Sequence, residues 1–128
     1  MTCPAPRCPI LSMTEAEIQA QCRLFASSLG LALWRNNSGA ARNPGGRLVR
    51  YGLGHESGKL NQVWKSSDLI GAGPGGLFTA VEVKRAGWRW SGTQEEVAQW
   101  NFIQNVRQLG GVAGFVSSVE ELRDLLSG

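Results

Sequence analysis

Apolar positions along the chain recur at two periods, and the changes from one to the other divide it into elements. Ile18, Cys22, Phe25, Ala26 and Leu29 fall at helical spacing, and Gly30 follows as a stop. Thr14 fits the N-cap of that helix, with Glu15 and Glu17 in the first turn, where the helix dipole favours anions. Glu15 lies three residues before Ile18 and seven before Cys22, which places it on the apolar side, whereas Glu17 points elsewhere. Residues 31–34 (Leu-Ala-Leu-Trp) read as a short strand, and residues 35–46, rich in Asn, Gly and Arg, as a loop. Residues 47–51 alternate polar and apolar, as a half-exposed strand does, and 52–60 read as a turn or loop.

Two strands, 63–70 and 77–84, form a hairpin around the glycine-rich link 71–76. Thr93 caps a further helix, with Glu95 and Glu96 in its first turn. Its stripe is Val97, Trp100, Ile103, Val106 and Leu109, ended by Gly110 and Gly111. Residues 112–116 are a strand, and Ser118 caps a last helix with Leu122, Leu125 and Leu126 on its apolar side. The pattern predicts one α/β domain over 13–128, a mixed sheet with helices on its faces, after a loose proline-containing leader over 1–12.

Composition narrows the class. With 42% hydrophobic and 18% charged residues, the chain is an ordinary globular protein. The net charge of +3 permits a polyanionic partner without requiring one. Cys3, Cys8 and Cys22 have no paired CxxC spacing and the single histidine is distant, so free thiols in a reducing cytoplasm are expected rather than a zinc site. No apolar run nears the roughly 20 residues a bilayer span needs, nor is there a basic-then-apolar signal. The expectation is a soluble cytoplasmic protein with no membrane partner.

The candidate chemistry sits in the hairpin. Glu82 and Lys84 share one face of their strand, while Val81 and Val83 take the other, toward the core. Asp68 ends the preceding strand, so pairing brings its carboxylate beside Glu82. Two carboxylates and a backbone carbonyl, here that of Val83, suit a hard divalent cation such as Mg²⁺ or Mn²⁺. Such an ion polarises a phosphodiester and acidifies bound water. Lys84 is then placed to orient that water and steady developing charge. The simpler alternative is an exposed Glu82–Lys84 ion pair with Asp68 as a turn residue.

Arg35, Arg42, Arg47, Arg50, Lys59, Lys65, Arg85 and Arg89 crowd the middle of the chain, where backbone phosphates would hold them as a group. Asn36, Asn37 and Gly39 are candidates for a backbone-amide nest or an ordinary turn. Trp88 and Trp90 flank Arg89, with stacking on bases, a dimer contact or core packing open to them. His55, in a Gly/Ser loop, has no catalytic role assigned. The 71–76 run lacks the Lys and Ser/Thr of a P-loop.

The strings Arg35-Asn-Asn-Ser-Gly39, Val49-Arg-Tyr-Gly52, Ser67-Asp-Leu-Ile-Gly71 and Val81-Glu-Val-Lys84, with Gln99 and Gly110-Gly111, resemble the VRR-NUC group. This is the virus-type replication-repair nuclease module, a branch of the PD-(D/E)xK superfamily. The resemblance runs from about Thr14 to Leu126. It implies that Asp68 and Glu82 are metal-binding acids and Lys84 the catalytic lysine. It also makes Glu15 the acid of the first helix, with Glu17 as the fallback, and sets Gln99 beside the site. Ser67 stands where the superfamily has proline. The expected activity is a Mg²⁺- or Mn²⁺-dependent endonuclease of phage or bacterial type, dimeric and acting on branched DNA such as a Holliday junction. The competing expectations are a non-catalytic DNA-binding module of the same fold and a sequence-specific restriction-type nuclease. The first would have lost one of Asp68, Glu82 or Lys84, and the second needs a recognition segment for which 128 residues leave little room.

Overall fold

The computed structural model describes residues 13–128, and the leader expected over 1–12 lies outside them. The first helix, α1 (Glu15–Ser28), starts where Thr14 accepts the Glu17 amide while the Glu17 carboxylate returns to the Thr14 amide, a complete capping box. Ile18, Cys22 and Ala26 form its buried stripe. Strand β1 (Ala32–Arg35) follows, and then two strands that pair only with each other, β2 (Gly39–Arg42) and β3 (Leu48–Tyr51). A single turn of helix, α2 (Gly58–Asn61), precedes β4 (Leu69–Ala72). A 3-10 turn over Pro74–Gly76, with Gly75 and Gly76 at φ 66° and 77°, reverses the chain into β5 (Phe78–Val83). Helix α3 (Gln94–Gln108), β6 (Val112–Val116) and α4 (Val119–Leu126) complete the domain.

The main sheet has the order β1-β4-β5-β6, antiparallel at its first two pairings and parallel between β5 and β6. It is a mixed sheet with a helical layer on each face, as patterning predicts. Leu33, Leu69, Val81, Val83 and Val116 point to one side, where they pack with Ile18, Cys22 and Ala26 of α1 and Leu122 and Leu126 of α4. Ala80 and Ala113 point to the other, against Phe102, Ile103 and Val106 of α3. Each fully buried aliphatic side chain contributes about 1.5–3 kcal/mol, so these two clusters supply the main driving force. Gly71 lets β1 and β4 close: a Cβ there would stand 1.8 Å from the Ala32 carbonyl oxygen. Among the described residues no helix is long and apolar enough to cross a membrane.

Four local expectations need correction. The stripe of α3 expected to include Val97 and Leu109 leaves both exposed, and its buried face runs through Ala98, Gln99, Phe102, Ile103 and Val106. Residues 39–42, read as loop, form β2, because an Ala-Ala pair without alternation becomes strand only through its partner β3. Residues 58–61, also read as loop, are helical behind the Ser57 cap. The strand expected over 63–70 begins only at Leu69. Trp64 leaves the sheet line to pack edge-on against Phe102 at 4.8 Å, and the Lys65 amide bonds to the Ala98 carbonyl of α3.

Candidate active site

The β4–β5 register pairs Leu69 with Val81, so one residue further along it sets Asp68 opposite Glu82 on the face toward α3. The parallel β5–β6 register sets Phe115 on the other flank of Glu82. Asp68 is fixed at both ends. Its carboxylate accepts the Val83 amide at 3.0 Å, and its carbonyl accepts the Asn36 amide at 2.7 Å. The Asn36 side chain donates to Ser66 and to the Ser67 carbonyl, and accepts the Leu53 amide. Asn36 is thus a clamp on the Asp68 segment, with its side chain used up in the fold, and does not serve as an anion nest.

Glu82 is 4% exposed. Burial pushes its carboxyl up to about 10, reinforced by the shared hydrogen bond with Asp68, by the Asp68 charge and more weakly by Glu15, while Lys84 opposes the shift. Glu82 therefore carries a proton at neutral pH, next to Asp68. Glu15, expected on the buried side, is exposed at the first turn of α1. It acts on Glu82 only through its charge, the weakest of the influences there. Glu17 is occupied by the cap.

Lys84 follows β5, held by a bond from its amide to the Val116 carbonyl. Its Nζ donates to Oε1 of Gln99 on α3 at 2.7 Å and lies over the rings of Trp88 and Phe115, 5.5 and 5.7 Å from their centroids. The alternative of an exposed Glu82–Lys84 ion pair does not match this arrangement. Glu82 is buried, and among the described residues the ion pair that forms is Lys65–Glu95 at 3.7 Å.

Hard-oxygen donors suit Mg²⁺ or Mn²⁺, and the crowding of Asp68 and Glu82 around a proton is what a divalent ion would relieve. The Val83 amide points toward Asp68, and in an extended strand the carbonyl of the same residue leaves on that side too. Among the described residues no three His, Cys, Asp or Glu side chains cluster as a metal cage. The oxygen atoms that the fold brings together here are those of Asp68 and Glu82, with the Val83 carbonyl on the same side, and the exposed Glu15 stands outside them.

The remaining candidates spread along the surface. Arg35 closes β1 opposite Leu69, next to Asp68, and is exposed like Asn37. Arg42 and Arg50 share one face of the β2–β3 ribbon, and Arg47 sits at its turn. Arg89 is exposed beside the site, whereas Lys65 is engaged with Glu95. His55 is partly buried, its Nδ1 2.6 Å from the Gly39 carbonyl, instead of free in a loop. Cys22 is buried, which pushes its thiol up to about 11 with help from Glu120, so it is an inert core residue.

Pattern reading places Glu96 in the first turn of α3 and does not foresee that it anchors the segment carrying Trp88 and Ser91. Burial alone would raise its carboxyl, but the amides of Ser91 and Thr93, the Trp88 indole and the Ser91 hydroxyl outweigh it and hold it at about 2. The signal was present as Thr93-x-x-Glu96, a capping-box spacing. Phe115, which three tryptophan rings surround, has no signal in the sequence beyond its place in a short apolar strand. No family model, no curated protein and no solved structure matches the chain.

Proposed function

We propose that this chain is a Mg²⁺- or Mn²⁺-dependent endodeoxyribonuclease of the VRR-NUC type, with a PD-(D/E)xK-like fold, acting on branched DNA. The observation that carries the reading is the convergence of Asp68, Glu82 and the Lys84–Gln99 pair at one end of the β4–β5 hairpin. Burying the Glu82 carboxyl beside the half-buried Asp68 costs stability, and an exposed ion pair would not need it. A cation-binding centre does.

Asp68 and Glu82, with the Val83 carbonyl, would hold the ion. Bound there, it supplies polarisation of the phosphodiester and a more acidic water. Lys84 orients the attacking water and stabilises charge developing on the phosphoryl oxygens. Gln99 positions Lys84 by fixing Nζ, and the rings of Trp88 and Phe115 bound the space in which it can move. Glu15 tunes the site through its field on Glu82. Arg35, Asn37, Arg42, Arg47, Arg50 and Arg89 hold the DNA backbone, with Lys65 contributing once freed from Glu95. Two copies around a twofold axis would suit a symmetric junction.

The test is incubation of the purified protein with supercoiled plasmid, linear duplex and a four-way junction, each with Mg²⁺, Mn²⁺ or EDTA. Metal-dependent cutting with preference for the junction is expected. Binding without cutting in either metal would leave a non-catalytic DNA module, and sequence-fixed fragments from linear duplex a restriction-type enzyme.

A further inference from the structure

Beside Lys84 stands an aromatic cluster larger than the core requires. Phe115 is its centre, with Trp88 at 5.1 Å and 30°, Trp100 at 6.2 Å and 15°, and Trp90 at 6.1 Å and 67° between ring planes. Trp90 keeps 48% of its surface exposed although it packs on the cluster, so part of its ring is open to a ligand. Arg89 lies between the two tryptophans in sequence and is exposed. The segment carrying them is held in place: Glu96 accepts from the Trp88 indole at 2.9 Å, from the Ser91 amide and hydroxyl at 2.9 and 3.0 Å, and from the Thr93 amide at 3.2 Å. A platform ordered in advance loses little entropy when a ligand settles on it.

We infer that Trp90, packed edge-on against Phe115, is a stacking platform for an unpaired nucleobase next to the phosphate held at Lys84. The inference rests on the nuclease reading and names its substrate class more closely. A base inside a duplex has both faces covered by its neighbours. One at a fork, flap or junction branch offers a free face, and stacking on an aromatic ring tolerates any sequence. Lys84 Nζ, 5.5 Å from the Trp88 centroid, ties the platform to the reacting phosphate, and Arg89 adds a backbone contact. Trp90 is thus a specificity-determining residue that selects DNA with an unpaired nucleotide beside the cut.

The experiment compares anisotropy titrations of a forked duplex with unpaired arms and a fully paired duplex of equal length, in EDTA, for wild type, Trp90→Phe and Trp90→Ala. Wild type should prefer the fork. Trp90→Ala should lose about tenfold on the fork and little on the paired duplex, and Trp90→Phe should keep most of the preference. A 2-aminopurine at the first unpaired position should be quenched by wild type and not by Trp90→Ala. Equal binding of both DNAs by wild type, or an unchanged fork preference in Trp90→Ala, would overturn the platform. Adding Mg²⁺ or Mn²⁺ separates the two readings. Fork preference without cutting sinks the nuclease and leaves the platform, while cutting that ignores Trp90 does the reverse.

Discussion

Glu82 is where stability and chemistry conflict. The folded chain holds a proton on this residue at neutral pH that the unfolded chain has released, because its carboxyl is raised from about 4.5 to about 10. Its contribution to stability is therefore full below about pH 4.5 and falls away as the pH climbs toward 10. Glu82→Gln, which keeps the shape and cannot ionise, should raise the melting temperature at pH 8 without divalent ions. The expected gain is about 4 °C, the shift ~1 kcal/mol produces in a domain of this size. The same variant should lose cutting. A lower melting temperature would mean that Glu82 is not held protonated. The two helix acids separate by the same logic. Glu17 closes the α1 capping box, so Glu17→Ala should cost about 1 kcal/mol of stability and spare cleavage. Glu15→Ala should leave stability unchanged and slow cleavage. The reverse pairing would move the helix acid to Glu17.

At the scale of elements, strong periodicity was legible and context-made structure was not. Thr14, Thr93 and Ser118 cap their helices where their positions indicated, and residues 112–116 form β6 as their apolar run implied. Residues 39–42 carry no alternation, so nothing local announced a strand that exists through cross-strand bonds alone. Val63 and Trp64 looked like strand residues, and the pull of Phe102 on Trp64 decides otherwise. The segment between β5 and α3 depends on Glu96 in a way that pH can expose. With its carboxyl held at about 2 against an ordinary 4.5, Glu96 stabilises the fold above pH 4.5 and loses that contribution as the pH falls toward 2. The melting temperatures of wild type and Glu96→Ala should differ clearly at pH 7, and the gap should narrow as the pH falls from about 4.5 toward 2. Trp88 emission should shift in the variant at pH 7. A gap that stays constant with pH would remove the charge of Glu96 from its role.

Over the whole molecule, the sheet order brings together residues that the chain separates. Asp68 and Glu82 could be paired in advance, because period-2 alternation and a hairpin fix which residues face each other. Lys84 needed the same alternation and nothing more. Its surroundings could not be read that way: Gln99 arrives from α3, Phe115 from β6 and Trp88 from a loop, each placed by packing over long range. The Asn36 clamp on Asp68 was equally hidden, since an Asn-Asn-Ser-Gly string reads as a turn wherever it occurs. In the proposed reading these partners turn three hairpin residues into a reaction centre, and that centre is the claim to challenge. Cleavage of a four-way junction in Mn²⁺ by wild type and Lys84→Ala, with binding followed in parallel, does so most directly. Wild type should cut, and Lys84→Ala should cut at least about 100-fold more slowly while still binding the junction measurably. A variant that cuts at the wild-type rate would contradict the account.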